Sequence, residues 1–255
     1  MNDAVIISDI HLGSDTCQAK SLCAFLESIE SGELLTSRLI LNGDVFESID
    51  FRRLKKNHWK ILSLLRKLSD RIEIIWICGN HDGPAEIVSH LLGVRVADEI
   101  ILESASERIL FLHGHVFDEF LDAHPILTWI ADWIYIFLQK IDNSHHFAKL
   151  AKKKSKTFLR CSKVIEEESV KYAKAKKCSI VCCGHTHHVG SNLDGPVLYY
   201  NSGCWTERPS TYLTIADGQV EIKTFMPPDD DFAEELKVET TTEMEAALFE
   251  METAG

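Results

Sequence analysis

The chain has 255 residues, of which 45% are hydrophobic, and a formal net charge of −12. This length and composition are those of a globular protein with one large domain, or with one domain that carries an insertion. Residues 227–255 hold about ten acids and one Lys, so the rest of the chain has a net charge of about −3. A nearly neutral body with an acidic tail argues against nucleic acid as a partner.

The eight cysteines follow no regular spacing. We interpret them as small buried hydrophobic residues in a reducing compartment, rather than as disulfides or a zinc knuckle. The amino terminus has no basic segment followed by a long apolar core, so no secretory signal is predicted. We therefore expect a cytoplasmic protein, with peripheral contact at the inner membrane as a second possibility.

Five apolar runs are predicted strands, and each ends in residues that bind metals. The runs are 4–8 before Asp9 and His11, 38–41 before Asp44, 72–78 before Asn80, His81 and Asp82, 109–112 before His113 and His115, and 179–183 before His185 and His187. In α/β sheets, ligands bind at the carboxyl ends of the strands. These residues are therefore expected to meet in one pocket.

Helices are predicted between these strands from their apolar spacing and end signals. They run from Asp15 or Thr16 to Ile29, from about His58 to Leu68, from Pro84 to Gly93, and from about Ser162 to Lys176. Near the carboxyl end, residues 197–200, 211–215 and 220–225 are predicted strands, and an Asp-Gly turn joins the last two. These strands are expected to form a second, partly antiparallel sheet packed on the first.

A basic cluster follows Asp44 and consists of Arg52, Arg53, Lys55 and Lys56. One interpretation is a solvated surface, as for most such runs. The alternative is that Arg52 or Arg53 binds an anionic substrate, because the cluster begins a few residues after a candidate ligand.

Residues 125–141 are apolar nearly all round, and a basic run from Lys149 to Lys163 follows them. At about 17 residues the apolar segment is at the lower limit for a bilayer span, and further site motifs follow it, so a span is not predicted. A helical insertion, about 120–165, is expected either to pack on the core or to cap the active site. A cap would receive acyl chains on its apolar face and phosphates on its basic face. Residues 227–255 are predicted to form an acidic mobile tail.

The candidate ligands offer carboxylate, amide and imidazole groups and no thiolate. They are Asp9, His11, Asp44, Asn80, His113, His185 and His187. This set suits Mn, Fe, Zn or Mg, and it is large enough for two ions that share a carboxylate. Two ions about 3.5 to 4 Å apart bind a phosphoryl group and activate a water molecule. The sequence therefore predicts hydrolysis of a phosphate ester or anhydride.

The order Asp-x-His, Gly-Asp, Gly-Asn-His-Asp, His, Gly-His-x-His resembles that of the calcineurin-like metallophosphoesterases, from about Val5 to Phe225. This resemblance implies an α/β fold, a four-layer α/β/β/α sandwich with a helical insertion. It also implies a metal arrangement, with Mn as the expected ion. Asp9, His11 and His187 would hold one ion, Asn80, His113 and His185 the other, and Asp44 would bridge them.

The same resemblance implies catalytic roles for the residues after the third strand. His81 would contact the phosphoryl group and protonate the leaving oxygen, a role that needs a proton donor near neutral pH. Asp82 would orient the His81 imidazole. Asn80 is assigned to the substrate as well as to the metal.

Within the superfamily, residues 8–13, residues 43–47 and the insertion resemble the UDP-2,3-diacylglucosamine hydrolases. Those enzymes release UMP and an acylated sugar 1-phosphate from a lipid A precursor, and the insertion would be the lid over the acyl chains. Residues 201–207 also resemble these relatives, so Asn201 or Trp205 either lines the pocket or forms a structural turn. The open alternatives are a soluble phosphodiester, phosphomonoester or nucleotide as substrate, and a non-catalytic metal-binding scaffold.

Overall fold

The computed structural model describes residues 1–48, 50–83, 85–118 and 156–227. Three predictions lie partly or wholly outside the described residues: the helix start at Pro84, most of the insertion, and the tail. In the described part, two sheets lie face to face between layers of helices. The predicted mixed α/β fold with two helix-flanked sheets is therefore confirmed.

The strands of the described residues are short and mostly buried. They are β1 Ala4–Ile7, β2 Arg38–Asn42, β3 Glu73–Ile77, β4 Arg95–Ala97, β5 Glu99–Ser104, β6 Glu107–Leu112, β7 Ile180–Cys183, β8 Gly190–Asn192, β9 Leu198–Asn201, β10 Ser210–Ala216 and β11 Gln219–Phe225. One sheet has the order β11-β10-β1-β2-β3-β4, and the other has the order β5-β6-β7-β9-β8.

The α-helices are α1 Ala19–Ser31, α2 Lys56–Leu68, α3 Ala85–Leu92 and α4 Lys156–Ala175, with short 3-10 helices at Phe51–Arg53 and His115–Phe117. Helix α1 begins later than the sequence indicated, because the residues before it form a turn. In this turn the Thr16 amide donates to Ser14 Oγ (3.3 Å), and the Gln18 amide donates to the Trp205 carbonyl (2.8 Å). In the described residues, no helix is long and apolar enough to span a membrane.

The first sheet is parallel at its centre, where β1, β2, β3 and β4 pair side by side. The expectation that the last two strands join the second sheet is wrong. The hairpin of β10 and β11 extends the first sheet instead, because β10 pairs antiparallel with β1. This pairing turns Leu213 and Ile215 toward the interface between the sheets, where both are buried.

Residue alternation along the strands builds the layers. In β1, Ala4 and Ile6 face the space between the sheets, whereas Val5 and Ile7 pack against helices of the first sheet. Strands β6 and β7 alternate in the same way between the inter-sheet core and a smaller cluster that includes Ala173 of α4. Strands β1, β2, β3, β6 and β7 are thus buried on both faces, as their continuous apolar runs indicated.

Candidate metal centre

The polar residues that follow five strands meet at one place, although the strands belong to two sheets. Asp44, after β2, is at the centre. Its Oδ2 lies 3.3 Å from His113 Nε2 and 3.7 Å from His11 Nε2. Asp9 Oδ1 lies 3.2 Å from His187 Nε2, and Asp9 Oδ2 accepts the His185 amide at 3.1 Å. Each sheet therefore contributes ligands to the same cluster.

Three overlapping groups within this cluster have ligand atoms no more than 4.8 Å apart. They are Asp9, His11 and His187; His11, Asp44 and His81; and Asp44, His113 and His185. The first and third groups come close to the two ligand sets that the resemblance implies. They support a divalent metal site. That each of these two groups holds one ion remains a prediction.

The backbone at the cluster is held in an uncommon conformation. Positive φ angles occur at Asp9 (53°), His11 (52°), Asp44 (51°), His185 (65°) and His187 (56°). This left-handed conformation costs non-glycine residues about 1 to 3 kcal/mol each, so surrounding contacts must maintain it. Part of that support is visible between the turns after β1 and β2, where the Asp9 and His11 amides donate to the Gly43 and Asp44 carbonyls at 3.0 and 2.9 Å.

Two glycines allow the turns to approach one another closely. A Cβ at Gly43, whose φ is +89°, would overlap the imidazole of His113. A Cβ at Gly79 would overlap both the carboxylate and the backbone nitrogen of Asp44. A larger residue at either position would push a candidate ligand out of place.

Apart from His81, each of the four histidines of the cluster has one ring nitrogen on a protein oxygen. His11 Nδ1 lies 2.8 Å from Glu47 Oε2, and His113 Nδ1 lies 2.8 Å from the Asn42 carbonyl. His187 Nδ1 lies 3.4 Å from Thr206 Oγ1, and His185 Nε2 lies 3.0 Å from Asp118 Oδ2. The remaining nitrogen of each ring is therefore the one left for the cluster.

This arrangement fits a divalent cation. The Nε2 atoms of His11 and His187 face each other at 3.2 Å. If both rings are neutral and donate through Nδ1, two lone pairs point at one another, and a cation between them removes the repulsion. Asp9 Oδ1 and His113 Nε2 are also buried, and their charged neighbours, His187 Nε2 at 3.2 Å and Asp44 Oδ2 at 3.3 Å, do not lie in hydrogen-bond geometry. Buried polar atoms without partners are costly unless an ion or water binds them.

The pKa values reflect the concentrated charge of the cluster. Burial alone would lower the pKa of His113, but Asp44 raises it to about 9. Burial would likewise lower the pKa of His11, and its hydrogen bond with Glu47 raises it instead. Burial would raise the pKa of Asp9, yet His187 lowers it to about 2. Without metal, protons on the imidazoles therefore balance the carboxylates, and a metal ion would take their place.

His81 lies at the exposed side of the cluster. Its backbone amide donates to Asp44 Oδ1 (3.0 Å), and its ring centroid is 5.1 Å from that of His11. The predicted orienting role of Asp82 is not what the structure shows, because His81 Nδ1 donates to the Glu47 carbonyl at 3.1 Å. Asp82 is buried and accepts from the amides of Phe46 and Gly79 and from Trp76 Nε1. It fixes the turn rather than the imidazole.

Of the four residues predicted to contact the substrate, one is buried in the core and three are exposed. The prediction that Trp205 contacts the substrate is wrong, because this residue is 0% exposed and packs against Phe25 with ring centroids 5.0 Å apart. The Arg52 side chain is 90% exposed and donates to Asp50. Burial raises the pKa of Glu47, and its hydrogen bond with His11 lowers it below the usual value. The exposed Arg53 is close enough to make a smaller contribution to this lowering of the Glu47 pKa. Asn80 is exposed between Gly79 and His81, and its part in binding metal or substrate stays a prediction.

Asn201, the other residue considered for the pocket, is structural. It is buried, and its Nδ2 donates to the Gly184 carbonyl (2.7 Å) and to Thr186 Oγ1 (3.2 Å). These bonds hold the turn that carries His185 and His187. The last residue of β9 therefore supports the turn that carries these candidate ligands.

Sequence reasoning missed the residues that hold the histidines. Glu47 ends the motif of residues 43–47, but the motif alone assigns it no role. The sequence likewise predicts no role at the metal site for Asp118 or Thr206. For Glu47 a signal existed, since it follows Asp44 by three positions in a turn that returns to the cluster. Asp118 lies three positions after His115 and Thr206 lies within residues 201–207, but only the tertiary structure brings them to His185 and His187.

The fold and the cluster together define an α/β protein with a candidate metal centre at the strand ends. A family model for the calcineurin-like phosphoesterase superfamily domain matches residues 3–220. The chain belongs to the calcineurin-like phosphoesterase superfamily.

The comparison with solved structures finds matches of low sequence identity. A novel archaeal phosphodiesterase is 15% identical, with a TM-score of 0.46 and coverage of 87% of this chain and 98% of its own. The phosphoesterase Yfce from E. coli is 16% identical, with a TM-score of 0.46 and coverage of 88% and 98%. Vps29 from Entamoeba histolytica, complexed with zinc, is 14% identical, with a TM-score of 0.40 and coverage of 87% of this chain and 97% of its own. No curated protein matches the chain.

Proposed function

We propose that this protein is a metal-dependent phosphoesterase that hydrolyses a phosphate ester or anhydride. The observation that carries the proposal is the position of Asp44. Its carboxylate lies between the two ligand groups, 3.7 Å from His11 Nε2 on one side and 3.3 Å from His113 Nε2 on the other. A carboxylate shared in this way suits a centre of two ions, the arrangement used in many phosphate-ester hydrolases.

The ligand groups indicate how the ions would be held. Asp9, His11 and His187 would hold one, His113, His185 and Asn80 the other, and Asp44 would contact both. Bound divalent ions, which we propose to be Mn, offset the negative charge of the phosphoryl group and acidify a water molecule. The buried carboxylates and imidazoles exclude bulk water from one side of the centre, and the exposed His81 marks the side where substrate enters.

We assign His81 the role of general acid. Its Nδ1 donates to the Glu47 carbonyl, so the ring is oriented and its Nε2 is left for the substrate. A protonated imidazole would give the Nε2 proton to the leaving oxygen as the phosphorus–oxygen bond breaks. The backbone bond from His81 to Asp44 ties this donor to the metal ligands.

For the substrate, we propose UDP-2,3-diacylglucosamine or a related lipid-linked nucleotide. Its support is the resemblance of residues 8–13 and 43–47 to the hydrolases of that compound. Hydrolysis would release UMP and the acylated sugar 1-phosphate.

The test is UMP release from UDP-2,3-diacylglucosamine by the purified protein with added Mn, beside a chromogenic phosphodiester. Asp44→Ala is the control, because it removes the carboxylate common to both ligand groups. Cleavage of the lipid nucleotide that depends on Asp44 supports both parts of the proposal. Cleavage of the chromogenic ester alone keeps the phosphoesterase and overturns the substrate. Metal binding without cleavage of either compound points to a non-catalytic scaffold.

A further inference from the structure

The partners of the four histidines are not equivalent. His113 and His187 lie on neutral acceptors, the Asn42 carbonyl and the Thr206 hydroxyl. His11 and His185 instead lie on carboxylates, those of Glu47 and Asp118. These two histidines belong to different ligand groups, so each group has one histidine with a carboxylate behind it.

We propose that Glu47 and Asp118 are positioning residues, one for each half of the metal centre. The inference rests on the proposed metal centre and assigns roles to residues outside the ligand set. A carboxylate that accepts the N–H of an imidazole fixes its tautomer and ring orientation and makes the opposite nitrogen a better metal donor. Glu47 would direct Nε2 of His11 to the cluster, and Asp118 would direct Nδ1 of His185.

Burial distinguishes these contacts from surface ion pairs. The side chains of His11 and Glu47 are 8% and 28% exposed, and those of His185 and Asp118 are 9% and 10% exposed. Exposed pairs contribute little because water screens them and side-chain entropy opposes them. A shielded contact keeps its strength and its geometry, which is what the orientation of a ligand requires.

Glu47 makes a second contact with the cluster, through its backbone. Its side chain holds His11, while its backbone carbonyl accepts from His81 Nδ1 at 3.1 Å. One residue therefore connects a candidate metal ligand with the proposed general acid. Replacement of the Glu47 side chain should affect metal binding while it leaves the carbonyl contact with His81 in place.

The experiment is a calorimetric titration of the metal-free full-length protein with Mn, for Glu47→Gln and Asp118→Asn. Each substitution keeps the size of the side chain and removes its charge. We expect each to weaken one class of metal sites by roughly 10- to 100-fold, the usual effect of losing such a partner. Glu27→Gln and Asp70→Asn are matched controls in surface ion pairs with Lys60 and Arg66, and we expect less than a twofold effect from them.

Cobalt spectra give a readout that a general loss of stability would not produce. The visible absorption of bound Co should change in each variant, because the histidine donor changes, while thermal unfolding of the metal-free variants confirms that they fold. Glu47→Asp and Asp118→Glu, which keep the charge, should bind metal with an affinity closer to that of the wild type than the amide variants. If an amide variant does not fold, the same comparison is made with Glu47→Ala or Asp118→Ala.

The outcomes separate this inference from the proposed function. Unchanged affinity and an unchanged Co spectrum in folded Glu47→Gln and Asp118→Asn would overturn the positioning roles even if the wild type binds metal and hydrolyses phosphoesters. A wild-type protein that binds no divalent metal would overturn the proposed function, and this inference with it.

Discussion

At the scale of single residues, charge at the cluster is balanced within a few ångströms. Asp44 and His113 lie 3.3 Å apart, both almost fully buried. Burial of either charge alone would be costly, so each stabilises the other. Burial would raise the pKa of Asp44, but His113 and the other imidazoles lower it well below the usual range for a carboxyl group. Asp9 and Asp44 are therefore ionised at neutral pH, and His11 and His113, whose pKa values are raised, carry the balancing protons.

The first prediction concerns the pH dependence of metal binding. His113 has a pKa of about 9 in the metal-free protein, so at neutral pH an incoming metal ion must displace a proton. The apparent affinity for Mn should rise between pH 6.5 and 9, by about tenfold per pH unit for each proton displaced. Titrations in buffers of different ionisation enthalpy count the protons released. An affinity that does not change over this range would contradict the raised pKa.

The second prediction tests the general acid. His81→Ala should lower the turnover number by about 10²- to 10⁴-fold, the range expected for loss of general acid catalysis. The metal content should remain that of the wild type, since the resemblance does not place His81 among the ligands. The measurements are steady-state hydrolysis and metal analysis of the same preparation. His90→Ala, at an exposed position on α3, is the control. Loss of metal from His81→Ala would instead make His81 a ligand.

At the scale of elements, the turns after the strands matter more than the strands themselves. The candidate ligands converge because the residues that follow the strands leave the extended conformation. The turn after β2 shows this, since Gly43 has a φ of +89° and lies directly against the His113 ring. The next residue, Asp44, has a φ of 51°, and its carboxylate lies close to both His11 and His113.

The third prediction follows from that turn. Gly43→Ala should lower the free energy of unfolding by about 1 to 3 kcal/mol, because the methyl group adds strain at positive φ and displaces His113. Metal affinity should fall as well. Gly190→Ala, where a Cβ meets nothing within 4 Å, should change stability by less than about 0.5 kcal/mol. Urea unfolding and metal titration of both variants are the measurements, and equal effects in the two variants would refute the close-approach argument.

At the scale of the whole molecule, the candidate metal centre is built from residues of both sheets. Asp9, His11 and Asp44 follow strands of the first sheet, whereas His113 and His185 follow strands of the second. Their distances therefore depend on how the sheets pack. That packing is set by a core of aliphatic and aromatic residues between the sheets, among them Ile40, Ile75 and Phe111.

The fourth prediction tests this dependence. Ile40→Ala should lower the free energy of unfolding by about 2 to 5 kcal/mol, because it leaves a cavity between the sheets. Ile87→Ala removes the same atoms from a residue that is 71% exposed, and it should change stability by less than about 0.5 kcal/mol. Denaturant unfolding gives both values. A small effect at Ile40 would mean that the inter-sheet core contributes less than its burial indicates.

Much of this organisation could be predicted from local patterns. The five apolar runs became buried strands, and the Asp and His residues that follow them lie together in the structure. Periodicity succeeds here because central strands need apolar side chains on both faces, whatever their neighbours are. The order of the ligand motifs was sufficient to indicate the family. The first turn of α1 was placed too early, because side-chain and backbone bonds hold residues 14–18 in a turn.

The sequence by itself determined the strand and helix types, the candidate ligands and the phosphoesterase resemblance, because these depend on residue chemistry and short-range spacing. Only the tertiary structure decided that β10 and β11 join the first sheet, that Trp205 belongs to the core, and that Asp82 holds a turn. It also brought Asp118 to His185. Such contacts depend on strand pairing and packing between distant segments, and no local pattern encodes them.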